Sequence, residues 1–354
     1  MPRIAVDAMG ADASPRVEVE GVVAAVRERG TSVVLVGDEA RITAELAALG
    51  ADRAKIDVLH APEVITMHDA PSMAVKQKKK SSMRMCFDLV KSGEADAVIS
   101  AGNSGAMMAC GLFVLRRLPG VERPAIVTTF PTKAGECALL DMGANVDPKP
   151  IVLAQSAVLG AVYARLLHGK SQPKVGLLSN GSEEHKGTPL TREAHALLSR
   201  ASHGDSAFTF VGNVEGRDIF KGEVDVVVTD GFTGNVVLKS VEGAAEAIMS
   251  MVREEVMRSG IIAKLGAALM TSALRRLKRR TDYAEHGGAP LLGVEGVALI
   301  CHGGSSATAL KNAVYVADRF AQIGLGQELA VAIGRHGFLW ETGPASTTSA
   351  GGLS

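Results

Sequence analysis

Six clusters of small polar residues stand where predicted strands end, and their chemistry suits the binding of an anion. Several clusters lead directly into predicted helices, whose first turn offers free N–H groups and the positive end of the helix dipole. Because ligands of α/β sheets bind beyond the carboxyl ends of the strands, we expect the clusters to converge on one sheet edge as a phosphate-binding crevice. The clusters are Asp7-Ala-Met-Gly10, Ser100-Ala-Gly-Asn-Ser-Gly105, Asp141-Met-Gly-Ala-Asn145, Ser179-Asn-Gly-Ser182, Thr229-Asp-Gly-Phe-Thr-Gly-Asn235 and His302-Gly-Gly-Ser-Ser306.

The standard motifs of nucleotide, acyl-serine and zinc chemistry are missing from the sequence. No GxxxxGK[ST] loop occurs, and no GxGxxG follows the first predicted strand. Gly102-Asn-Ser-Gly105 resembles a fragment of a GxSxG elbow, but a complete elbow is absent. The nine histidines are scattered, and no set of ligands has zinc spacing. Covalent acyl-serine chemistry is therefore disfavoured.

The clusters are positioned by short apolar strands that alternate with longer helical segments. Such alternation predicts βαβ units and a mostly parallel sheet that is covered by helices on both faces. The predicted strands are Ile4–Asp7, Val33–Val36, Ala97–Ser100, Ala125–Thr129, Leu139–Asp141, Val175–Leu178, Phe208–Val211, Val224–Thr229 and Val297–Cys301. The predicted helices are Pro15–Arg29, Ser72–Lys91, Ser104–Leu118, Pro148–Leu167, Pro189–Ser202, Asn235–Arg258 and Ser305–Ala321.

Length, composition and charge limit the class of protein. A chain of 354 residues with 47% hydrophobic residues can bury a large core. The 38 Lys and Arg balance the 38 Asp and Glu, and only 4% of residues are aromatic, so we expect no nucleic-acid partner. We predict one domain over residues 1–340 and a flexible tail, rich in Gly, Ser and Thr, over residues 341–354.

The cysteines and the apolar segments indicate the compartment. Four widely spaced cysteines without a CxxC pair are typical of buried, reduced thiols in a cytosol. The first residues lack the apolar region and cleavage site of a signal peptide. Because no run of about 18 uninterrupted apolar residues occurs, we expect no membrane-spanning helix. We therefore expect a soluble intracellular protein.

Eight motifs, in order and over roughly residues 3–320, resemble those of the bacterial phosphate acyltransferase family. The chain departs from the family at Ala11, where Gly is usual, and at Ser182, where an acidic residue is common. The motifs are IAVDAMGADASP, APSMAVKQKKKSSM, SAGNSGAMMA, LLDMGANVD, GSEEHKGT, FVGNVEGRDIF, VVVTDGFTGNVVLKSVEG and GGAPLLGVEGV.

The resemblance implies a three-layer α/β/α fold akin to phosphotransacetylases and isopropylmalate-type dehydrogenases. It implies transfer of a long-chain acyl group from acyl carrier protein to inorganic phosphate, with no metal and no redox cofactor. The acyl phosphate product would supply an acyl phosphate:glycerol-3-phosphate acyltransferase in phospholipid synthesis. The resemblance also implies a homodimer in the cytoplasm that is attached peripherally to the inner face of the cytoplasmic membrane.

Such chemistry needs charge compensation and an oxyanion donor, because phosphate is already an anion. Lys186 is the predicted cation, since a Lys after a strand-end loop reaches into a crevice as a mobile point charge; the alternative is a solvated surface Lys. Asn235 is the second predicted catalytic residue, with helix capping as the alternative. His185 and His302 are candidate proton donors to the leaving sulfur, with an ordinary structural role as the alternative. The predicted phosphate or substrate residues are Asp7, Gly10, Gly102, Asn103, Ser104, Asn145, Asp230 and Gly234. For Asp7 and Asp230, which would repel phosphate, orientation of Lys186 or of loop N–H groups is the expected role, with a purely structural role as the alternative.

Two basic segments suggest contacts with a partner or a membrane. The first, with Lys78 and Lys79, lies on a predicted helix and could dock acidic acyl carrier protein, or be a solvated face. The second, residues 257–287, is a predicted protruding helical segment; from Met257 to Arg280 it holds seven Lys and Arg and no acid. Its apolar stripe favours reversible binding to anionic membrane, with dimer or carrier docking as alternatives. The predicted contacts are Lys78, Lys79, Ile261, Ile262, Leu265, Arg275 and Arg276.

Two other classes of function compete with acyl transfer. A nicotinamide-dependent dehydrogenase would share the fold, but its dinucleotide-binding fingerprint is not found in the sequence. A non-catalytic scaffold for the carrier protein would keep the basic surfaces and would have no need for Lys186 and Asn235 at strand ends.

Overall fold

The computed structural model describes residues 1–201, 207–281 and 287–337, with the backbone alone for residues 263 and 274–281. The predicted tail at 341–354 lies outside the described residues. In chain order the elements are β1 (Arg3–Asp7), α1 (Arg16–Arg29), β2 (Ser32–Gly37), α2 (Glu39–Ala48), β3 (Ile56–His60), α3 (Pro71–Gln77), α4 (Ser82–Ser92), β4 (Ala97–Ser100), α5 (Ser104–Cys110), β5 (Ala125–Thr132), β6 (Gly135–Leu140), α6 (Pro150–Leu167), β7 (Lys174–Leu178), α7 (Pro189–Ala201), β8 (Thr209–Val214), β9 (Val226–Val228), α8 (Gly231–Arg258), α9 (Ile261–Thr281), β10 (Ala289–Leu292), β11 (Val297–Ile300), α10 (Ala307–Gln322) and α11 (Leu325–Arg335).

The strands form one eleven-stranded sheet between two layers of helices, in the order β3-β2-β1-β4-β11-β10-β5-β6-β9-β7-β8. Successive residues of β1 point to opposite faces, because side chains alternate along a strand. Ile4 and Val6 join a core beneath α1, α2, α6, α7, α10 and α11, whereas Ala5 joins a core beneath α3, α4 and α5. Strands buried on both faces explain the nearly continuous apolar runs of the sequence. The predicted α/β/α fold is confirmed.

The sheet is mostly parallel, but three antiparallel pairings divide it into two halves of opposite direction. β10 pairs antiparallel with β11 and with β5, and β5 pairs antiparallel with β6. Consequently β6, β9, β7 and β8 run against β1, β2, β3, β4 and β11. The expectation that all six polar clusters share one sheet edge is therefore wrong: three lie at each edge.

Several predicted helices differ in extent from the observed ones. The predicted helix Ser72–Lys91 is broken after Gln77, because Lys78 leaves helical geometry (φ −92°, ψ 65°). Lys79 and Lys80 thus stand in the turn between α3 and α4 and not on a helix. After α5 the chain continues as a π-helix, Gly111–Leu115.

One helix of the described residues, α6, is long and apolar enough to cross a membrane by length and composition. Within it, 72% of the residues are buried. Its side chains pack in the core beside α7 and α11. The length and hydropathy of α6 therefore fit a helix in the interior of the sandwich.

Candidate active site

The loops that follow β6, β9 and β7 meet at one sheet edge, because these three strands are neighbours and point the same way. They carry Asn145 (after β6), Asp230 and Asn235 (after β9) and Lys186 (after β7). The structure thus brings both predicted catalytic residues to one edge. We call the loops 141–149, 179–188 and 229–235 the Lys186 edge.

Asp141 organises the first loop of the Lys186 edge. Its Oδ1 accepts hydrogen bonds from the N–H groups of Ile126 and Ala144, both at 3.0 Å. Its Oδ2 accepts from the backbone N of Asn145 at 2.6 Å and from Asn145 Nδ2 at 2.9 Å. Burial raises the pKa of Asp141, whereas these hydrogen bonds lower it. The carboxyl therefore serves as an internal anchor for the loop.

Asn145 is a cross-link within this loop. Its Nδ2 also donates to the carbonyl oxygen of Pro124 at 2.8 Å, so both amide hydrogens are engaged. Its carbonyl oxygen accepts from the N–H of Gly231 at 2.7 Å, which joins the loop to the start of α8. These contacts favour a positioning role for Asn145, not direct donation from its side chain to phosphate.

The start of α8 places Asn235 beside the Asp141 loop. Asp230 is the N-cap of α8: its Oδ1 accepts from the N–H of Thr233 at 2.8 Å and its Oδ2 from the Thr233 hydroxyl at 2.7 Å. Asn235 lies one turn further along the helix and is exposed. The capping alternative for Asn235 is therefore wrong, and its amide forms no hydrogen bond with any described residue.

Lys186 lies in the loop between β7 and α7. Its backbone N donates to the carbonyl oxygen of Glu183 at 3.0 Å. The stem passes Gly181, where a Cβ would be 3.1 Å from Lys186 Cγ. Lys186 is half-buried, and its ammonium makes no ion pair or hydrogen bond with any residue of the described ranges. It can therefore compensate charge on a bound anion.

The other edge, at the ends of β1, β4 and β11, is organised by Asp7. The buried Asp7 carboxyl accepts from Ser100 Oγ at 2.6 Å and from the N–H of Met9 at 3.2 Å. Ser100 Oγ in turn accepts from the N–H of Gly102 at 3.0 Å. Burial raises the pKa of Asp7, and the Ser100 hydrogen bond opposes that shift. Asp7 therefore orients loop N–H groups and does not contact Lys186.

Close packing and hydrogen bonds at the same edge explain why residue 10 is Gly and residue 103 is Asn. A Cβ on Gly10 would lie 2.7 Å from the backbone N of Gly102, so the two loops touch only because glycine is present. Asn103 caps α5 through Oδ1, and its Nδ2 donates to three backbone oxygens of residues 66–69 at 3.2 to 3.4 Å. Its amide is thus engaged in holding that loop, while Ser104 beside it is exposed.

Glu18 is a buried carboxyl near this edge that the sequence reading missed. Oε1 accepts from the N–H of Ala11 at 2.9 Å and from the Ser14 hydroxyl, and Oε2 is buried without a partner among the described residues. Burial raises the pKa of Glu18 to about 7, despite both hydrogen bonds. This edge therefore holds two buried carboxyl groups, those of Asp7 and Glu18.

Similarity to known proteins decides the family. A family model described as "Fatty acid synthesis protein" matches residues 2–328. Phosphate acyltransferase of Geobacter sulfurreducens is 55% identical over 328 residues, which cover 93% of both chains. Phosphate acyltransferase of Geotalea uraniireducens is also 55% identical over 328 residues, with the same coverage. The chain belongs to the phosphate acyltransferase family.

Solved structures agree on the fold of this phosphate acyltransferase family member. A phosphotransacetylase from Streptococcus pyogenes superimposes with a TM-score of 0.60 at 18% identity, covering 91% of this chain and 94% of that one. The EutD phosphotransacetylase from Staphylococcus aureus gives a TM-score of 0.59 at 17% identity, covering 90% and 94%. Family membership makes the protein an acyltransferase of fatty acid synthesis, not a dehydrogenase or a scaffold.

The residues predicted to contact the carrier protein or the membrane differ in their surroundings. Lys78 is tied down: its Nζ contacts Asp69 Oδ2 at 2.5 Å and the carbonyl oxygen of Val64 at 2.9 Å. Lys79 is exposed. Ile261 and Ile262, at the start of α9, expose 78% and 87% of their surface. Arg275 and Arg276 lie in α9, but their side chains are outside the described part of the chain.

Proposed function

We propose that this phosphate acyltransferase transfers a long-chain acyl group from acyl carrier protein to inorganic phosphate, which yields acyl phosphate for the acylation of glycerol 3-phosphate. The main observation behind this proposal is that Lys186 and Asn235 lie at the same sheet edge. Neither the Lys186 ammonium nor the Asn235 amide makes a hydrogen bond with another described residue. The family membership of the chain supports the proposal.

The reaction exchanges one bond to the acyl carbon for another. An oxygen of hydrogen phosphate attacks the thioester carbonyl, the C–O bond forms and negative charge builds on the carbonyl oxygen. The C–S bond then breaks, and the thiolate takes up the proton that the phosphate gives up. A preorganised donor and a cation lower the barrier because charge grows where they stand.

Lys186 and Asn235 divide these tasks. The Lys186 ammonium holds the phosphate and compensates its charge, because it has no competing partner among the described residues. The exposed Asn235 amide donates to the carbonyl oxygen as its charge grows. Asp141, Asn145 and Asp230 fix the loops that carry the two side chains.

Product analysis tests this function. The purified protein is mixed with acyl carrier thioester, with and without inorganic phosphate, and acyl phosphate and free carrier thiol are followed by mass spectrometry. We expect thiol release that depends on phosphate and matches acyl phosphate formation. Thiol release that is indifferent to phosphate, or none at all, would contradict the proposal.

We further propose that the exposed lysines at the α3–α4 turn steer the acidic carrier protein. Lys79 remains available to a partner, whereas Lys78 holds the turn through Asp69. Charge complementarity of this kind acts mainly on the association rate and weakens with salt. A fall in kcat/KM with ionic strength that is reduced in Lys79→Ala is the expected result; an unchanged salt dependence would refute this docking role.

The long helices α8 and α9 support two proposals about assembly. Of the 28 residues of α8, only Gly231 and Gly234 are buried, and its apolar side chains include Ile248, Met251 and Val252 in exposed positions. We propose that this face of α8 packs against a second copy in a homodimer. Light scattering tests it, and a monomer at micromolar concentration would contradict it.

We propose that the start of α9 binds the inner face of the cytoplasmic membrane. Ile261, Ile262 and Leu265 are exposed, and Arg258 and Lys264 beside them are exposed cations. Apolar burial and attraction to anionic lipid act together in such segments, and each near-surface cation contributes about 1 kcal/mol. The protein is then cytoplasmic and peripherally attached.

A further inference from the structure

A bulge in β8 turns Asn213 toward the Lys186 edge. Val175 pairs with Phe210, but two residues later Leu177 pairs with Asn213, three residues further along β8. The extra residue fits because Gly212 adopts φ +87°, a conformation that favours glycine. The bulge shifts the alternation of the strand, and Asn213 becomes buried, with 7% of its surface exposed.

Asn213 and Lys186 donate to the same acceptor. Asn213 Nδ2 lies 2.8 Å from the carbonyl oxygen of Glu183, and the backbone N of Lys186 lies 3.0 Å from the same oxygen. The Glu183 carbonyl therefore joins the interior of β8 to the backbone of Lys186. A second tie, from the N–H of Ser179 to the carbonyl oxygen of Val214 at 2.8 Å, fixes the beginning of the same loop.

A contribution to stability alone does not explain why residue 213 is Asn. Its Oδ1 is buried and has no hydrogen-bond partner in the described parts of the chain. A buried acceptor without a partner is unfavourable, and an apolar residue of similar volume would avoid that cost. What Asn213 supplies is one directed N–H at the loop that carries Lys186.

We propose that Asn213 is a positioning residue for the acyl transfer: through the Glu183 carbonyl it holds the Lys186 backbone so that the ammonium reaches the phosphate. This inference rests on the proposed function. Gly181 lies against the aliphatic part of the Lys186 side chain, and Asn213 holds the Lys186 backbone through the Glu183 carbonyl. The side chain therefore samples fewer conformations. Removal of the Asn213 donor leaves Lys186 in place but less often oriented for reaction.

A double-mutant cycle tests the inference. The four proteins are the wild type, Asn213→Ala, Lys186→Met and the double variant, each assayed for acyl phosphate formation and each melted. We expect Lys186→Met to lower kcat/KM about 100-fold, the scale of one lost electrostatic donor. Asn213→Ala should lower kcat about tenfold with little change in melting temperature, because it removes an unpaired acceptor together with the donor.

The double variant distinguishes positioning from a purely structural role. If Asn213 acts through Lys186, its substitution costs nothing further once the ammonium is absent, so the double variant matches Lys186→Met within about twofold. Equal losses in both backgrounds, or a normal rate in Asn213→Ala, would overturn the inference. Asn213→Leu, which has a similar volume but no donor, replaces the Ala variant if that one fails to fold.

Two control variants test for unspecific effects, and the rate of Lys186→Met separates this inference from the proposed function. Thr209→Ala, at an exposed position of the same strand, and Lys91→Met, at an exposed position of α4, should leave the rate unchanged. A normal rate in Lys186→Met would remove the proposed role of Lys186 and the inference with it. A slow Lys186→Met with additive losses in the double variant would reject only the role of Asn213.

Discussion

The first turn of α8 fits against the Asp141 loop only because residue 234 is glycine: a Cβ on Gly234 would lie 1.9 Å from the carbonyl oxygen of Asp141. Real Cβ contacts are never so short, so any side chain here must displace one of the two segments. Asn235, the next residue, takes its place from this contact. The relationship connects packing at residue 234 with the catalytic role proposed for residue 235.

Gly234→Ala should therefore damage both stability and activity. The methyl group pushes the start of α8 away from Asp141, at a cost of about 1 to 3 kcal/mol for overpacking. Gly243→Ala is the matched control in the same helix, since a Cβ there meets nothing within 4 Å. It should gain about 0.5 to 1 kcal/mol from helix propensity and keep its rate. Chemical unfolding and kcat/KM measure both variants; a Gly234→Ala protein as stable and active as the wild type would contradict the packing argument.

Substitutions of Asn235 and of Asp230 should have different effects, the first on the reaction rate and the second on stability. Because Asp230 caps α8, Asp230→Ala should lose about 1 kcal/mol of unfolding free energy. Asn235→Ala removes only an exposed amide, so its melting temperature should stay close to that of the wild type while kcat falls by about two orders of magnitude. Thermal melts beside steady-state kinetics give the comparison. An Asn235→Ala protein with lower stability and a normal rate would reverse the assignment.

Glu18 should make stability depend on pH near neutrality. Its pKa is raised from 4.5 to about 7, so between these values the native state keeps a proton that the unfolded state has released. Stability from this group is full below pH 4.5 and is lost as the pH rises through 7. At about 1.4 kcal/mol per pKa unit, the loss is on the order of 3 kcal/mol.

Glu18→Gln is the test, because the amide keeps the shape of the carboxyl and does not titrate. Unfolding free energies of both proteins, measured from about pH 5 to about pH 8, should show the variant gaining on the wild type as the pH rises. Two parallel curves would show that Glu18 has an ordinary pKa in the native protein.

The start of α9 should bind anionic membrane. Replacement of Ile261, Ile262 and Leu265 by Ser removes the apolar contact, so binding to phosphatidylglycerol vesicles should be lost while acyl transfer in solution continues. Val331→Ser, at an exposed apolar position of α11, is the control and should bind normally. The wild type should bind neutral vesicles weakly and leave anionic ones at high salt. If the triple variant dissociates into monomers on gel filtration instead, the segment is a dimer interface and the membrane proposal fails.

The layers of the fold could be predicted from the sequence, but the direction of the strands could not. Ala97–Ser100 was predicted to the residue, while β3 and β10 were missed because their short runs contain polar or proline residues. The signal for reversal was present between β5 and β6, where only Lys133 and Ala134 separate the strands and leave no room for a crossover helix. That hairpin places the six polar clusters at two edges instead of one.

The residues proposed for the reaction could be selected from the sequence where their polar groups are free, but not where polar groups are buried. Lys186 and Asn235 stand in quoted motifs at strand ends, and such positions point to ligand chemistry. Asn213 and Glu18 act through burial and hydrogen bonds, which depend on the β8 bulge and on the loop before α1. Neither contact follows from residue type and spacing.

The most direct test of the central claim is the fate of the phosphate oxygen. The protein is given acyl carrier thioester and phosphate labelled with ¹⁸O in every position, and the mass of the intact acyl phosphate is measured by mass spectrometry. Attack by phosphate predicts that the intact product keeps the complete label and that the released thiol equals it in amount. Free fatty acid carrying oxygen from water, with no labelled acyl phosphate, would contradict the account.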